Sequence, residues 1–201
     1  MPTVNKYNCD INIMIRGIGG QGVKLAGTII GQAALLDGRH AVQSTKYGSA
    51  ITGGETRSEI KVSTKKIIYP RITDIDVYIA LTLDDLQNYF ESTIYITAKA
   101  ASRIIPEKIK DKLIIAPMFE IAEKIGNRKV TNMVLIGILN QLFNLASDDA
   151  FIGSIKYQTD ARFHESNIEA YKQGASLDLT KLNTPEVLES ANICRINEPR
   201  G

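Results

Sequence analysis

The sequence has no tryptophan, two cysteines, two histidines and a net charge of only +2 over 201 residues. Cys9 and Cys194 stand near opposite ends without CxxC spacing, so we expect two free thiols. This arrangement argues against a zinc site or an iron–sulfur cluster held by this chain alone. The small net charge offers no basic cluster for nucleic acid or for an anionic membrane. The sequence therefore predicts no metal of its own and no nucleic-acid partner.

Long hydrophobic runs are also missing. The longest, residues 133–139, falls far short of the roughly 20 residues that a membrane-spanning helix needs. The first ten residues, MPTVNKYNCD, contain no apolar signal region, so we expect a cytoplasmic protein without membrane association. With 44% hydrophobic and 23% charged residues, the composition is that of an average globular chain with one well-buried core.

Apolar periodicity predicts strands that alternate with helices and then a helical C-terminal portion. The predicted strands are residues 11–15, 40–45, 56–62, 74–82, 93–97 and 112–116. The predicted helices are residues 23–36, 84–90, 119–125, 130–145 and 162–173. A further helix begins at Ser147, and Gly174 is expected to end the last one. This order indicates an α/β fold with an open, mostly parallel twisted sheet and helices on both faces. We place a single domain at 1–175 and an extended arm or tail at 176–201, with a helix start at Thr184-Pro185.

A glycine-rich turn lies between the first predicted strand and the first predicted helix, in IMIRGIGGQGVKLAG. Its glycines satisfy G-x-G-x-x-G, an arrangement in which a diphosphate lies against peptide N–H groups at a helix N-terminus. A dinucleotide site also needs an acidic residue at the end of the second strand, where Gln43-Ser44-Thr45 stands instead. Asp37 lies in the turn before that strand. The turn therefore suits a phosphate chain, another subunit's backbone or tight internal packing better than NAD or FAD.

A second glycine cluster makes the sequence more specific. The stretches IRGIGGQGVKLAGTIIGQAALLDG, STKYGSAITGGETRSEIKVS, YPRITDIDVYIALT and NRKVTNMVLIGILNQL resemble, in order and spacing, the gamma subunit of the 2-oxoacid:ferredoxin oxidoreductases. The resemblance covers about residues 12–175. Among the subfamilies, GGETRSEI is most similar to the form that acts on 2-oxoglutarate, although the pyruvate and branched-chain enzymes share the architecture.

The resemblance implies a multi-subunit enzyme. Such an enzyme decarboxylates a 2-oxoacid on thiamine diphosphate, passes two electrons through iron–sulfur clusters to ferredoxin, and transfers the acyl group to coenzyme A. The present chain lacks the cysteine sets for clusters and the G-D-G motif of a magnesium–thiamine diphosphate site. Those cofactors are therefore expected on partner alpha, beta and delta-type subunits. We expect no catalytic residue here, but a role in closing the active site and in holding coenzyme A.

The resemblance also suggests site residues. At the phosphate or subunit contact we expect Gly19, Gly20, Gln21 and Gly22. Along the second loop, which lies near coenzyme A in related enzymes, we expect Lys46, Tyr47, Ser49 and Thr52, with Gly53 and Gly54 allowing close approach. Arg57 either binds a carboxylate or phosphate or belongs to a charged face with a cross-strand ion pair, and we favour the charged face. Asn132 either caps its helix or contacts a partner loop, and we favour capping.

Three functions stay open from the residues. The first is a non-catalytic but required subunit of the oxidoreductase complex. The second is a stand-alone NAD(P)- or FAD-binding oxidoreductase of Rossmann type, against which the missing ribose acid counts. The third is a module that binds an acyl-coenzyme A without chemistry.

Overall fold

The computed structural model describes residues 10–48, 54–182 and 188. Its six strands are β1 Ile11–Ile18, β2 His40–Tyr47, β3 Glu55–Ser63, β4 Val77–Ala80, β5 Ile94–Ala98 and β6 Leu113–Ala116. Its longer helices are α1 Val23–Leu36, α2 Leu83–Gln87, α3 Met118–Lys124, α4 Thr131–Phe143, α5 Asp148–Gln158 and α6 His164–Ala175. Every predicted strand and helix within the described residues is present, with ends displaced by a few positions. The α/β fold is confirmed.

The sheet has the strand order β2-β3-β1-β4-β5-β6. Strands β1, β4, β5 and β6 are parallel, as predicted, whereas β3 runs antiparallel to both β1 and β2. The β1–α1–β2 connection therefore passes over β3, and the chain returns from β2 to β3 as a hairpin. The carboxyl ends of the four parallel strands lie at one edge of the sheet, beside the glycine-rich turn.

Alternate residues of the parallel strands point to two separate cores. On one face Ile13, Ile79 and Ile96 are buried with side chains of α1, α3 and α4, while α5 packs on α1 and α6 packs on α4. On the other face Tyr78 and Tyr95 pack with Leu86 of α2 and with short 3-10 segments. The expected helices on both faces are thus confirmed, but the two layers are very unequal.

Helix α4 runs through the larger core, and all its residues except Gln141 are buried. The predicted helix that is apolar on every side is therefore confirmed. Helices α4 and α6 cross at Gly137 and Gly174. They approach so closely that a Cβ on Gly137 would lie 2.7 Å from the backbone nitrogen of Ala175. The prediction that Gly174 ends α6 is wrong, because α6 continues to Ala175. Gly174 instead lies where α6 packs against α4.

The C-terminal residues that the structure describes pack on the larger core. Leu177, Leu179 and Leu182 contact it, and so does Leu188. The predicted helix start at Thr184-Pro185 lies outside the described residues, as do Cys9 and Cys194, and the boundary between domain and arm stays a prediction. Across the described part of the chain, no helix combines the length and the apolar character needed to cross a membrane. The cytoplasmic location stays a prediction.

Candidate functional site

The glycine-rich turn connects β1 directly to α1. Gly20 and Gly22 have φ angles of +94° and +72°, a left-handed conformation that glycine adopts without steric cost. The side chain of Gln21 folds back on its own strand, where its Oε1 accepts a hydrogen bond of 2.9 Å from the Ile18 N–H. The Gln21 N–H in turn donates to the Ile18 carbonyl at 3.2 Å. The Gln21 side chain therefore holds the turn in shape.

The peptide surface at Gly20 is open. A Cβ built on Gly20 would meet no atom within 4 Å. The N–H groups of Gly20 and Gly22 donate to no acceptor among the described residues, and α1 begins immediately afterwards at Val23. N–H groups that have no acceptor in the described part of the chain, at the positive end of a 14-residue helix, favour an anionic ligand.

Two pockets meet at Gly20. The α4 pocket, about 170 Å³, lies between the glycine turn and the start of α4, and it has apolar walls from Leu81, Phe119 and Leu135 and polar ones from Gln21, Arg128, Lys129, Thr131 and Asn132. The α1 pocket, about 420 Å³, lies on the other side of the turn. Its polar lining comes from Lys24, Thr28, Tyr47, Thr56 and Gln158. Gly20 lines both pockets, so one ligand can extend from one pocket to the other.

Asn132 is a residue of the site that sequence reasoning assigned to another role. The N-cap of α4 is Val130, so the expectation that Asn132 caps this helix is wrong. Its side chain, with 5% of the residue exposed, lies against Gly22 and lines the α4 pocket. Its Oδ1 is buried without a hydrogen-bond partner among the described residues. An asparagine in the first turn of an otherwise apolar helix was the signal available in the sequence.

The two described ends of the second loop, Tyr47 and Gly54, lie beside the glycine turn. Tyr47, at the end of β2, lines the α1 pocket and is 64% exposed. The Gly54 carbonyl accepts a hydrogen bond of 3.0 Å from the Gly19 N–H, which joins the two glycine clusters. The remaining loop positions of the prediction, Ser49, Thr52 and Gly53, lie outside the described residues.

Lys46 and Arg57 lie on the opposite face of the sheet. They pair with each other across β2 and β3, whereas their neighbours Tyr47 and Thr56 line the α1 pocket. The Lys46 Nζ lies 3.4 Å from a carboxylate oxygen of Glu59, and the Arg57 Nε lies 3.1 Å from the same oxygen. The structure therefore separates these two cations from the pockets. Arg57 lies on the charged face that we favoured, but its ion pair with Glu59 lies within β3, and the cross-strand ion pair is the one between Lys46 and Glu59.

A buried arginine ties the second loop to the centre of the sheet. The Arg16 Nε donates to Glu55 at 2.8 Å and lies 3.3 Å from Asp85, and its Nη1 donates to the Asn88 carbonyl at 2.5 Å. Burial raises the pKa of Asp85, while hydrogen bonds from Thr82 and the charge of Arg16 oppose that shift. Because Glu55 directly follows Gly54, this cluster fixes where the loop re-enters the sheet. Sequence reasoning did not single out Arg16.

The dinucleotide alternative has no support in this geometry. Strand β3 lies between β1 and β2, so the end of β2 is not next to the glycine turn in the sheet. Asp37 is engaged elsewhere, since its carboxylate accepts hydrogen bonds from the N–H and, at 2.8 Å, from the hydroxyl of Ser147. Among the described residues that line the two pockets, none has an acidic side chain that could bind ribose hydroxyls.

Comparison with known proteins agrees with this arrangement. Residues 12–177 match the pyruvate ferredoxin/flavodoxin oxidoreductase family. The chain belongs to this family. It is 34% identical to the 2-oxoglutarate synthase subunit KorC of Methanothermobacter marburgensis, over 82% of this chain and 95% of the relative. The resemblance to gamma subunits, inferred from the two glycine clusters, is confirmed.

Solved structures show the same fold. The gamma subunit of a keto/oxoacid ferredoxin oxidoreductase from Geobacter sulfurreducens is 26% identical, with a TM-score of 0.70 over 83% of this chain and 94% of that chain. A 2-oxoglutarate:ferredoxin oxidoreductase from Magnetococcus marinus, solved with 2-oxoglutarate, coenzyme A and succinyl-CoA bound, is 22% identical with a TM-score of 0.71. The likeness covers 83% of this chain but 30% of that one, so there the fold is one part of a longer polypeptide.

Proposed function

We propose that this chain is the gamma subunit of a 2-oxoglutarate:ferredoxin oxidoreductase complex, in which it helps to bind coenzyme A and closes the active site. The complex converts the 2-oxoacid to an acyl-coenzyme A and reduces ferredoxin. Thiamine diphosphate, magnesium and the iron–sulfur clusters belong to alpha, beta and delta-type partner subunits. The preference for 2-oxoglutarate rests on the likeness to 2-oxoglutarate synthase subunits, which reaches 34% identity.

The observation that carries the proposal for coenzyme A is the open main chain at Gly20. Coenzyme A has a diphosphate between two extended ends. The N–H groups of Gly20 and Gly22, which have no acceptor among the described residues, and the start of α1 suit the diphosphate. The two pockets beside Gly20 can each receive one end of the molecule. Asn132 also lines the α4 pocket, and its side-chain oxygen accepts no hydrogen bond from the described residues.

The matched variants Gly20→Ala and Gly38→Ala test the proposal. Both glycines have positive φ, and neither would place its Cβ within 4 Å of another atom, so each substitution carries a similar backbone cost of about 1 kcal/mol. Only the Gly20 methyl would project between the two pockets. In the co-purified complex, we expect Gly20→Ala to raise the KM for coenzyme A by about tenfold relative to Gly38→Ala. Equal KM values for coenzyme A in the two variants would contradict a role of this turn in coenzyme A binding.

A further inference from the structure

Strand β2 forms one edge of the sheet. It pairs with β3 on one side, and no strand of the described chain pairs with it on the other. The Gly48 N–H donates to the Glu55 carbonyl at 2.7 Å, which shows that the even-numbered residues of β2 are the ones that bond to β3. The main-chain groups that point outward belong to the odd-numbered residues Ala41, Gln43, Thr45 and Tyr47. These outward groups form no hydrogen bond with other described residues.

This edge lacks the features by which proteins usually block an edge strand. Strand β2 extends over eight residues without a proline, and its pairing with β3 continues without a bulge. Its one lysine, Lys46, is held over the face of the sheet, where its Nζ lies 3.4 Å from Glu59. A long, regular edge of this kind favours pairing with a strand of another chain.

The sequence of β2 is complementary to a second copy of itself. When two β2 strands lie antiparallel and are centred on Ser44, Gln43 lies opposite Thr45 and Ala41 lies opposite Tyr47 of the other copy. These four residues carry the outward main-chain groups, so the two strands can form about eight hydrogen bonds with each other. Tyr47, which is 64% exposed, then packs on Ala41 of the second copy.

Charge favours the same alignment. On the other face of the strand, Lys46 lies opposite Val42 of the second copy, so no like charges meet. A shift by two residues in one direction places Lys46 opposite Lys46, which is unfavourable. A shift by two residues in the other direction leaves Tyr47 without a strand beside it. The centred alignment therefore uses the whole strand and avoids a contact between like charges.

We infer that two copies of this chain associate through their β2 edges, antiparallel and centred on Ser44, about a two-fold axis. The contact joins the two six-stranded sheets into one continuous sheet. A second copy fits this edge because the main-chain groups, the side-chain sizes and the charges all match in one alignment. The inference goes beyond the proposed function and does not depend on coenzyme A binding at the glycine turn.

Opposite charges at position 42 test the alignment. Val42 is half-buried, and in both variants its neighbour across β3 is Lys61. Val42→Glu places a carboxylate opposite Lys46 of the second copy, so we expect the dissociation constant of the dimer to fall by about fivefold. Val42→Lys places a cation there and should raise it by about fivefold. Sedimentation equilibrium of the full-length chain measures both constants against the wild type.

A cysteine at the two-fold axis tests the geometry. Ser44 faces Ser44 in a non-hydrogen-bonded pair with Cα atoms about 4.5 Å apart, which is within the range of a disulfide. Ser44→Cys should therefore cross-link two chains under mild oxidation. His40→Cys is the matched control, because His40 is also exposed on the same face of β2 but would lie roughly 27 Å from His40 of the second copy. Peptide mass spectrometry distinguishes a bond at position 44 from bonds of Cys9 and Cys194.

The inference is overturned if Val42→Glu and Val42→Lys have the same dissociation constant, or if Ser44→Cys cross-links no better than His40→Cys. The alternative occupant of the edge is a strand of a different subunit. Thr45→Pro removes an outward N–H without removing a bond to β3, and Thr45→Val keeps that N–H. If Thr45→Pro, but not Thr45→Val, prevents co-purification with the other subunits while Ser44→Cys does not cross-link, the edge binds a different chain and pairing between copies is rejected.

Discussion

The side-chain amide of Asn132 packs against Gly22, at the point where the first turn of α4 meets the start of α1. A Cβ on Gly22 would lie 2.8 Å from Asn132 Cγ and still closer to Nδ2. The φ of +72° at Gly22 adds strain for any L side chain. The contact joins the N-termini of two helices, and the position of each therefore depends on the other.

We expect Gly22→Ala to lower the free energy of unfolding by about 2 kcal/mol or more, because it combines left-handed strain with a clash against Asn132. Urea unfolding of the purified chain measures this loss. Asn132→Ala removes the amide atoms from the clash, so the double variant should lose about 1 kcal/mol less than the sum of the two single losses. Strictly additive losses would show that the two residues do not interact.

The crossing of α4 and α6 gives a second prediction. Gly137→Ala should lower the unfolding free energy by about 2 kcal/mol or more, because its Cβ would press on backbone atoms of Tyr171, Gly174 and Ala175 that cannot move aside alone. Gly153→Ala in α5 is the control. Its Cβ would make only an ordinary contact, 3.8 Å from Leu36, and the gain in helix propensity should leave stability unchanged or raise it by up to about 1 kcal/mol. In thermal melts, the Tm of Gly137→Ala should therefore fall, whereas that of Gly153→Ala should stay the same or rise. Equal shifts would contradict the packing role of Gly137.

The structure predicts that Gln21 acts through its side-chain oxygen. Gln21→Ala leaves the Ile18 N–H without its acceptor, and we expect a loss of about 1 kcal/mol in unfolding free energy. Gln21→Glu keeps an acceptor at the same length and should lose less than half of that. Urea unfolding distinguishes the two variants. An equal loss would mean that the hydrogen bond to Ile18 does not stabilise the turn.

The raised pKa of Asp85 predicts how the free energy of unfolding depends on pH. Burial, the largest influence, raises the pKa of Asp85 above 3.8, against the lowering effects of Thr82 and Arg16. The folded chain then holds this proton more tightly than the unfolded chain, so the contribution of Asp85 to stability falls as pH rises from about 3.8 through the raised pKa and is constant above it.

Asp85→Asn removes this contribution. The difference in unfolding free energy, wild type minus variant, should therefore fall with rising pH at the acidic end and then level off, in urea titrations between about pH 4 and pH 8. Other carboxyl groups contribute similarly to both proteins and cancel in the difference. A difference that rises with pH in the acidic range would mean that the ion pair with Arg16 outweighs burial and lowers the pKa.

Local patterns predicted the elements of this fold well. Helix α1 has the predicted bounds, because the glycine turn and the Asp37-Gly38 pair mark its ends. The position of β3 could not be predicted, since apolar alternation gives a strand but not its neighbours or its direction. For the same reason, Lys46 was expected along the second loop, although the pleat places its side chain on the far face, where Arg57 also lies.

The candidate site was predicted in its backbone but not in its side chains. A glycine-rich turn predicts an exposed main chain, and a Cβ on Gly20 would meet no atom within 4 Å. The role of Asn132 depends on how α4 meets α1, a contact between distant parts of the chain that capping preferences cannot predict. Gly174 was taken for a helix end because glycine commonly ends helices, whereas here the close approach of α4 requires it.

Helix α4 connects the α4 pocket to the interior. It begins at the pocket with Thr131 and Asn132, and farther along Asn140 donates to the Tyr171 hydroxyl at 2.8 Å. The part of the pocket wall formed by Thr131, Asn132 and Leu135 therefore belongs to a helix that is buried almost throughout its length in a close-packed interior. A substitution at Gly137 or Gly174 that displaces α4 would therefore also displace this part of the wall, although neither glycine lines the pocket.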